Sequence, residues 1–159
     1  MSMANIRYET MTDLRHADEV VAMMNNLYHE DQAASKVDPR RFPVTLRTFL
    51  DRPEAGRVVL IWQDDALVGY SLLVPYWSNE FGGVILFVDE LYVVESSRGL
   101  GTGRGFFVHI DQERPFDAAV VALEVSRTNS RARRLYERLG LTERSNAVLV
   151  SRLPLVPQY

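Results

Sequence analysis

The 159-residue chain contains no cysteine. A disulfide scaffold, a thiol nucleophile and cysteine-ligated metals are therefore excluded, and the composition is compatible with a reducing compartment. No stretch approaches the roughly 18 apolar residues of a membrane-spanning helix, and Met1 to Thr10 lacks the apolar core of a secretory signal. A cytoplasmic protein without a membrane partner is expected. Positive charge is not in excess either: 18 Lys and Arg against 21 Asp and Glu give a net charge of -3. Such a chain has no surplus cation to neutralise nucleic-acid phosphates, so no nucleic-acid partner is expected, and the slight acidity favours a cationic substrate. The basic cluster Arg131, Arg133, Arg134 and Arg138 is local and reads as a solvated helix face. The three histidines, His16, His29 and His109, show no metal-ligand spacing, and no metal is expected.

What is present is ordinary for a globular protein, 47% hydrophobic and 25% charged. The length fits one domain over 1–159 that buries a core without covalent help. Ile6 to Thr10 reads as a strand. Met11-Thr12-Asp13 opens a helix in which Leu14, Ala17, Val20, Val21, Met24, Leu27 and Tyr28 recur at helical spacing, ending near Glu30. Asp31 to Arg41 is a connection, and Pro43 sits near the start of a second helix through Leu50. Arg57 to Gln63 and Ala66 to Val74 form an antiparallel hairpin about the turn Asp64-Asp65. Pro75 to Gly83 is a loop carrying Tyr76, Trp77 and Phe81. Val84 to Val94 is a strand buried on both faces and central in its sheet. A turn-rich loop, Glu95 to Gly103, precedes a helix with Phe106, Phe107 and Ile110 that stops before Pro115. Ala118 to Val125 is a further buried strand, and Asn129 to Leu139 is a helix closed by Gly140. Thr142 to Leu153 is mostly extended, as one or two closing strands.

Strand, glycine-rich loop, helix, strand and helix in succession favour two parallel strands joined by a right-handed crossover. Added to the hairpin of the first half, this predicts an α/β fold with a mixed sheet and helices on both faces.

The glycine-rich segment Arg98-Gly99-Leu100-Gly101-Thr102-Gly103 follows the strongest strand and opens a helix. Unpaired amides and partial positive charge at a helix start hold a phosphate where glycine lets the backbone approach, and Arg98 adds a fixed cation. A dinucleotide fingerprint G-x-G-x-x-G fails in both registers, because its third glycine falls on Arg104 or Phe106. The nucleotide-triphosphate loop G-x-x-x-x-G-K-[ST] fails as well. The pattern that fits is Arg-x-x-Gly-x-Gly at Arg98, Gly101 and Gly103. A plain glycine-containing loop is the alternative.

Here the sequence resembles the GNAT superfamily of acyl-CoA-dependent N-acetyltransferases. Val88-Asp89-Glu90-Leu91-Tyr92-Val93 is similar to the family's central strand before that loop. The run from Asn129 through Leu135-Tyr136-Glu137-Arg138-Leu139-Gly140 resembles its second hallmark. The likeness covers roughly Val84 to Leu141, and Val88 to Gly101 is also similar to diamine acetyltransferases. It implies a mostly antiparallel central sheet with one splayed parallel pair, and acetyl-CoA as co-substrate.

The same resemblance implies a site. The loop from Arg98 through Gly99, Leu100, Gly101, Thr102 and Gly103 holds the diphosphate. Backbone groups along Leu91, Tyr92 and Val93 hold the pantetheine arm, with an N-H of Leu91 or its neighbour polarising the thioester carbonyl. Asn129 contacts that arm, or is a plain helix N-cap. Tyr136 protonates the departing thiolate, or is a core tyrosine on the face shared with Ala132, Leu135 and Leu139. Asp89 or Glu90 takes the amine proton, with Asp89 slightly favoured and Glu90 a substrate contact. Adjacent residues of a regular strand face opposite sides, so only one enters the cleft unless a bulge re-aims the chain. Tyr28, Glu30, Asp31, Trp77, Glu80 and Phe81 combine aromatic faces with carboxylates suited to an alkylammonium acceptor. An ordinary solvated helix end and loop is their alternative.

The reaction so implied is direct attack of a small-molecule primary amine on the acetyl group, through a tetrahedral intermediate. Acetylation of protein N-termini or lysines, and a non-catalytic acyl-CoA-binding regulatory domain, are the alternatives. Homodimers are common in the family, and the tail Leu153 to Tyr159 is a candidate partner contact.

Overall fold

Strands with apolar residues on both faces dictate two cores, and the computed structural model, which describes residues 5–30 and 37–152, has both. Its five strands are β1 (Ile6–Thr10), β2 (Arg57–Gln63), β3 (Ala66–Ser78), β4 (Gly83–Val93) and β5 (Val120–Leu123). They form one sheet in sequence order, antiparallel throughout except for the parallel pair β4–β5. Along β2, Val58 and Leu60 belong to one core while Val59 and Ile61 belong to the other, as the two-residue period of a strand requires.

The first core packs under α1 (Ala17–Glu30) and α2 (Arg41–Asp51), through Val20, Met23 and Met24 of α1 and Phe42 and Leu46 of α2. The second packs under α3 (Thr102–Glu113), through Phe106, Phe107 and Ile110. The last helix, α4 (Ser130–Arg138), has no fully buried residue and adds Tyr136 at the edge of that second core. The mixed sheet with helices on both faces therefore stands as the sequence predicts.

Several boundaries differ. Helix α1 begins at Ala17 rather than Asp13, because the Asp13 carboxylate accepts the Arg15 N-H at 2.9 Å in a local turn. Helix α2 begins at Arg41, two residues before Pro43, where a missing N-H costs no helical bond. Strand β3 runs on to Ser78, so Tyr76 and Trp77 lie on a strand and not in a loop. The reversal is confined to 79–82, with Gly82 at φ 59. Strand β5 is only Val120–Leu123, because its ladder with β4 stops at Val88. Among the described residues no strand follows α4. The predicted extension over 142–153 is absent to residue 152, and 153 lies outside the described residues. Val148, Leu149 and Val150 stay exposed, Leu149 at 92%, with no apolar face beneath them to order the segment.

Strands β3 and β4 approach most closely at Gly69, where a Cβ would strike the backbone carbonyl oxygen of Tyr92. We expect Gly69→Ala to cost about 1–3 kcal/mol by forcing the two strands apart. Urea unfolding measures this, and an unchanged midpoint would contradict the close approach.

Candidate active site

The register of β4 against β3 shifts once. Leu72 pairs with Glu90 and Leu73 pairs with Val88, so Asp89 is an extra residue with no partner, a β-bulge. Before it Val84, Leu86 and Val88 face the α3 core; after it Leu91 and Val93 do, while Tyr92 faces the α1 core. The bulge thus reverses which face each residue meets. It also coincides with the last β4–β5 pair, Val88 with Leu123, so the two parallel strands part at this point. The Val94 N-H donates to the Val68 carbonyl of β3 at 2.8 Å. By alternation, Leu91 and Val93 turn their backbone groups the other way, toward the gap left by β5.

A cavity of about 470 Å³ fills that gap. Leu27, Tyr28 and Glu30 of α1, Val88 to Leu91, Arg98, Leu123 to Ser126, Thr128, and Asn129, Ala132 and Tyr136 line it. Both acids of β4 therefore border one space, because Asp89 is the inserted residue.

Their surroundings differ. Glu90 is only 8% exposed and accepts hydroxyl hydrogen bonds from Tyr28 at 2.7 Å and Tyr70 at 2.6 Å, one on each carboxylate oxygen. Burial raises its pKa, the two tyrosine bonds oppose that rise, and Asp89 adds to it. Asp89 is exposed and borders the cavity, where partial burial raises its pKa, with Glu124 as a second cause.

In the loop, Gly99 and Gly101 have φ of 83° and 88°, a conformation glycine adopts without strain. Nothing lies within 4 Å of where a Cβ on Gly101 would point, so a side chain would fill open space beside the first amides of α3. Thr102 is buried and anchors this turn: its hydroxyl donates to the Ser97 carbonyl at 3.2 Å, and its carbonyl accepts the Tyr8 hydroxyl at 2.7 Å. Leu100 is exposed. These features fit a bound diphosphate. Arg98, however, turns toward α1. Its Nη2 contacts both carboxylate oxygens of Glu30 at 2.8 and 3.0 Å, its Nε donates to the Val93 carbonyl at 2.6 Å, and its guanidinium lies 5.3 Å from the Tyr92 ring centre.

On α4, the Asn129 side-chain oxygen accepts the Ala132 N-H at 3.1 Å, so Asn129 caps the helix and also borders the cavity. Tyr136 packs edge-on to Phe107 with ring centres 5.6 Å apart, and burial raises its hydroxyl pKa. It keeps its proton at neutral pH, as a proton donor must.

The structure does not gather every predicted acceptor residue. Trp77 is 69% exposed and pairs with Val84, five residues from Asp89 along β4, or about 17 Å. Glu80 is tied to Arg144 at 2.8 Å, and Arg144 lies 5.7 Å from the Phe81 ring centre. None of these three borders the cavity. Asp31 lies outside the described residues. Residues not anticipated are Tyr70 and Glu124. The Tyr70–Glu90 bond depends on strand register twenty positions apart, which no local pattern carries. Glu124 has a readable signal, since it follows a parallel strand where ligands bind in open α/β sheets. Among the described residues no cluster of His, Asp and Glu could hold a metal, and no helix is long and apolar enough to cross a membrane.

The parted parallel strands beside the glycine loop are the arrangement that the sequence resemblance implies. The family model described as the acetyltransferase (GNAT) family matches residues 21–141. The chain belongs to the GNAT acetyltransferase family. An integron cassette protein from the mobile metagenome of Cole Harbour Salt Marsh shares 24% identity and a TM-score of 0.76, over 94% of this chain and 91% of that one. A ribosomal-protein-alanine N-acetyltransferase from Brucella melitensis biovar Abortus 2308 shares 20% identity and a TM-score of 0.68, over 94% of this chain and 100% of that one. An aminoglycoside N-acetyltransferase in complex with CoA shares 12% identity and a TM-score of 0.75, over 94% of this chain and 96% of that one. At these identities the likeness is one of fold. No curated protein sequence matches the chain.

Tyr70→Phe removes one of the two donors to a buried carboxylate, at an expected cost of about 1–3 kcal/mol. The folded pKa of Glu90 is raised, so its charged form opposes folding as pH climbs above the unfolded value of about 4.3. Loss of Tyr70 raises that pKa further. The penalty, read from urea unfolding, should be larger at pH 7 than at pH 4; a penalty independent of pH would contradict the network.

Proposed function

We propose that this protein transfers the acetyl group of acetyl-CoA to a primary amine of a small molecule by direct attack. The carrying observation is the bulge that sets Asp89 and Glu90 on the cavity bordered by Tyr136. The left-handed glycines and the backbone groups of Leu91 and Val93 turned toward the gap support a bound CoA ester, and a solved relative is a CoA complex. Acetyl-CoA supplies the thioester.

The chain's own residues do the rest. Alkyl amines are mostly protonated at neutral pH. Asp89 and Glu90, joined at the cavity wall by Glu124, attract such an ammonium. Asp89 removes its proton, because both oxygens of Glu90 already accept tyrosine hydroxyls. The elevated pKa of Asp89 makes it a stronger base than an ordinary aspartate. Tyr136 returns a proton to the departing sulfur. The backbone N-H of Leu91, or of a neighbour, polarises the carbonyl. Tyr28 and Glu30 border the acceptor end, and the aromatic ring of Tyr28 beside the carboxylates of Asp89 and Glu124 supports a small cation over a neutral acceptor.

A thiol-release assay with acetyl-CoA and a broad amine panel tests the reading. Turnover with small amines is expected. Turnover confined to protein N-termini or lysine side chains would replace the acceptor class, and acetyl-CoA binding without thiol release would favour a regulatory domain. Asp89→Asn and Tyr136→Phe should each lower kcat about 100-fold or more; full turnover in either variant removes that residue from the mechanism. Because the pKa of Asp89 is raised, activity should fall with acidification at a pH above the usual aspartate value of about 3.9. That acid limb should vanish in Asp89→Asn.

A further inference from the structure

The loop needs a cation for the diphosphate, and the one next to it in sequence is committed elsewhere. Arg98 spends its guanidinium on Glu30 and the Tyr92 ring, on the α1 side, and on the Val93 carbonyl at the strand edge. A different arginine stands over the glycines. Nη2 of Arg131 lies 3.3 Å from where a Cβ on Gly99 would sit. One turn along the same helix, Cδ2 of Leu135 lies 3.0 Å from the corresponding position on Gly103. Residues four apart share a helix face, so α4 lays the Arg131–Leu135 edge across the loop while Ala132 and Tyr136, one position on, border the cavity.

We propose that Arg131 is the side chain that meets the diphosphate of the CoA ester, and that Arg98 is a positioning residue holding Glu30 at the acceptor end. The inference rests on the acetyl-CoA reading above. Three observations carry it: the Arg131 guanidinium is beside Gly99, it makes no ion pair among the described residues, and its neighbour Arg133 is already tied to Glu143 at 2.9 Å. An arginine fork matches two phosphate oxygens at once, which an exposed basic helix face without a target would not require.

Calorimetric titration with CoA and with dephospho-CoA, which lacks the 3′-phosphate, tests the assignment on the wild type and on Arg131→Gln, Arg98→Gln, Arg104→Gln and Arg131→Lys. Arg131→Gln should weaken CoA about tenfold or more, the loss of one charge-assisted contact. It should weaken dephospho-CoA equally and flatten the dependence of affinity on salt, at an unchanged thermal midpoint. Arg131→Lys should recover part of the loss. Arg98→Gln should weaken CoA less and instead raise the KM for the amine. An Arg131→Gln effect within about twofold, a larger effect from Arg98→Gln or Arg104→Gln, or a loss confined to CoA and absent with dephospho-CoA each overturns the assignment. A wild-type protein that binds neither ligand refutes the acetyl-CoA reading itself, an outcome distinct from any of these.

Discussion

An extra residue in an antiparallel ladder reverses the facing of every side chain beyond it, and in β4 that residue is Asp89. Without the insertion Glu90 would continue the parity of Leu86 and Val88 into the apolar core beneath Phe106 and Phe107. With it, Glu90 instead reaches Tyr28 and Tyr70, which can satisfy a carboxylate. The same insertion ends the β4–β5 ladder, so the reversal that rescues one acid also opens the cavity the other borders. Sheet geometry and site chemistry are one constraint here.

Electrostatics then divides labour around the cavity. The acids gather at its β-strand wall, where burial raises the pKa of both Asp89 and Glu90. Basic groups flank the loop: Arg98 turned back to bridge α1 through Glu30, and Arg131 extended from α4 over Gly99. At one end the acidic cavity wall suits an ammonium; at the other, outside the lining of that cavity, the glycine loop and Arg131 offer groups that suit phosphate. Glu30 and Arg98 connect the two ends, since one ion pair joins the last turn of α1 to the residue that opens the glycine loop.

Much of this was legible in the sequence, for reasons that are local. Strand β2 declares itself by an apolar, β-branched run, the hairpin turn by Asp64-Asp65, and the glycine loop by its spacing after an apolar strand. Asp89 and Glu90 stood out because acids are rare inside a strand buried on both faces. The bulge itself was not legible: a register shift is a relation between β3 and β4, and adjacent acids alone predict opposite facing. The partners of Glu90 and Arg98, at Tyr70, Tyr28 and Glu30, are long-range for the same reason. Aromatic and acidic residues at Trp77, Glu80 and Phe81 matched the chemistry of an acceptor site, yet the hairpin carries them to the far end of β4. The closing strands failed because apolar spacing in 142–152 has no matching face among the described residues.

We propose that the parted strands and the glycine loop together bind an acetyl-CoA ester. Backbone amide chemical shifts of the isotope-labelled protein, followed during titration with acetyl-CoA, test it directly. The account predicts that the largest changes fall on the amides of Leu91 and Val93, of Gly99 to Gly103 and of Asn129 to Ala132. Saturable changes confined to other surfaces, with these amides unmoved, would contradict it.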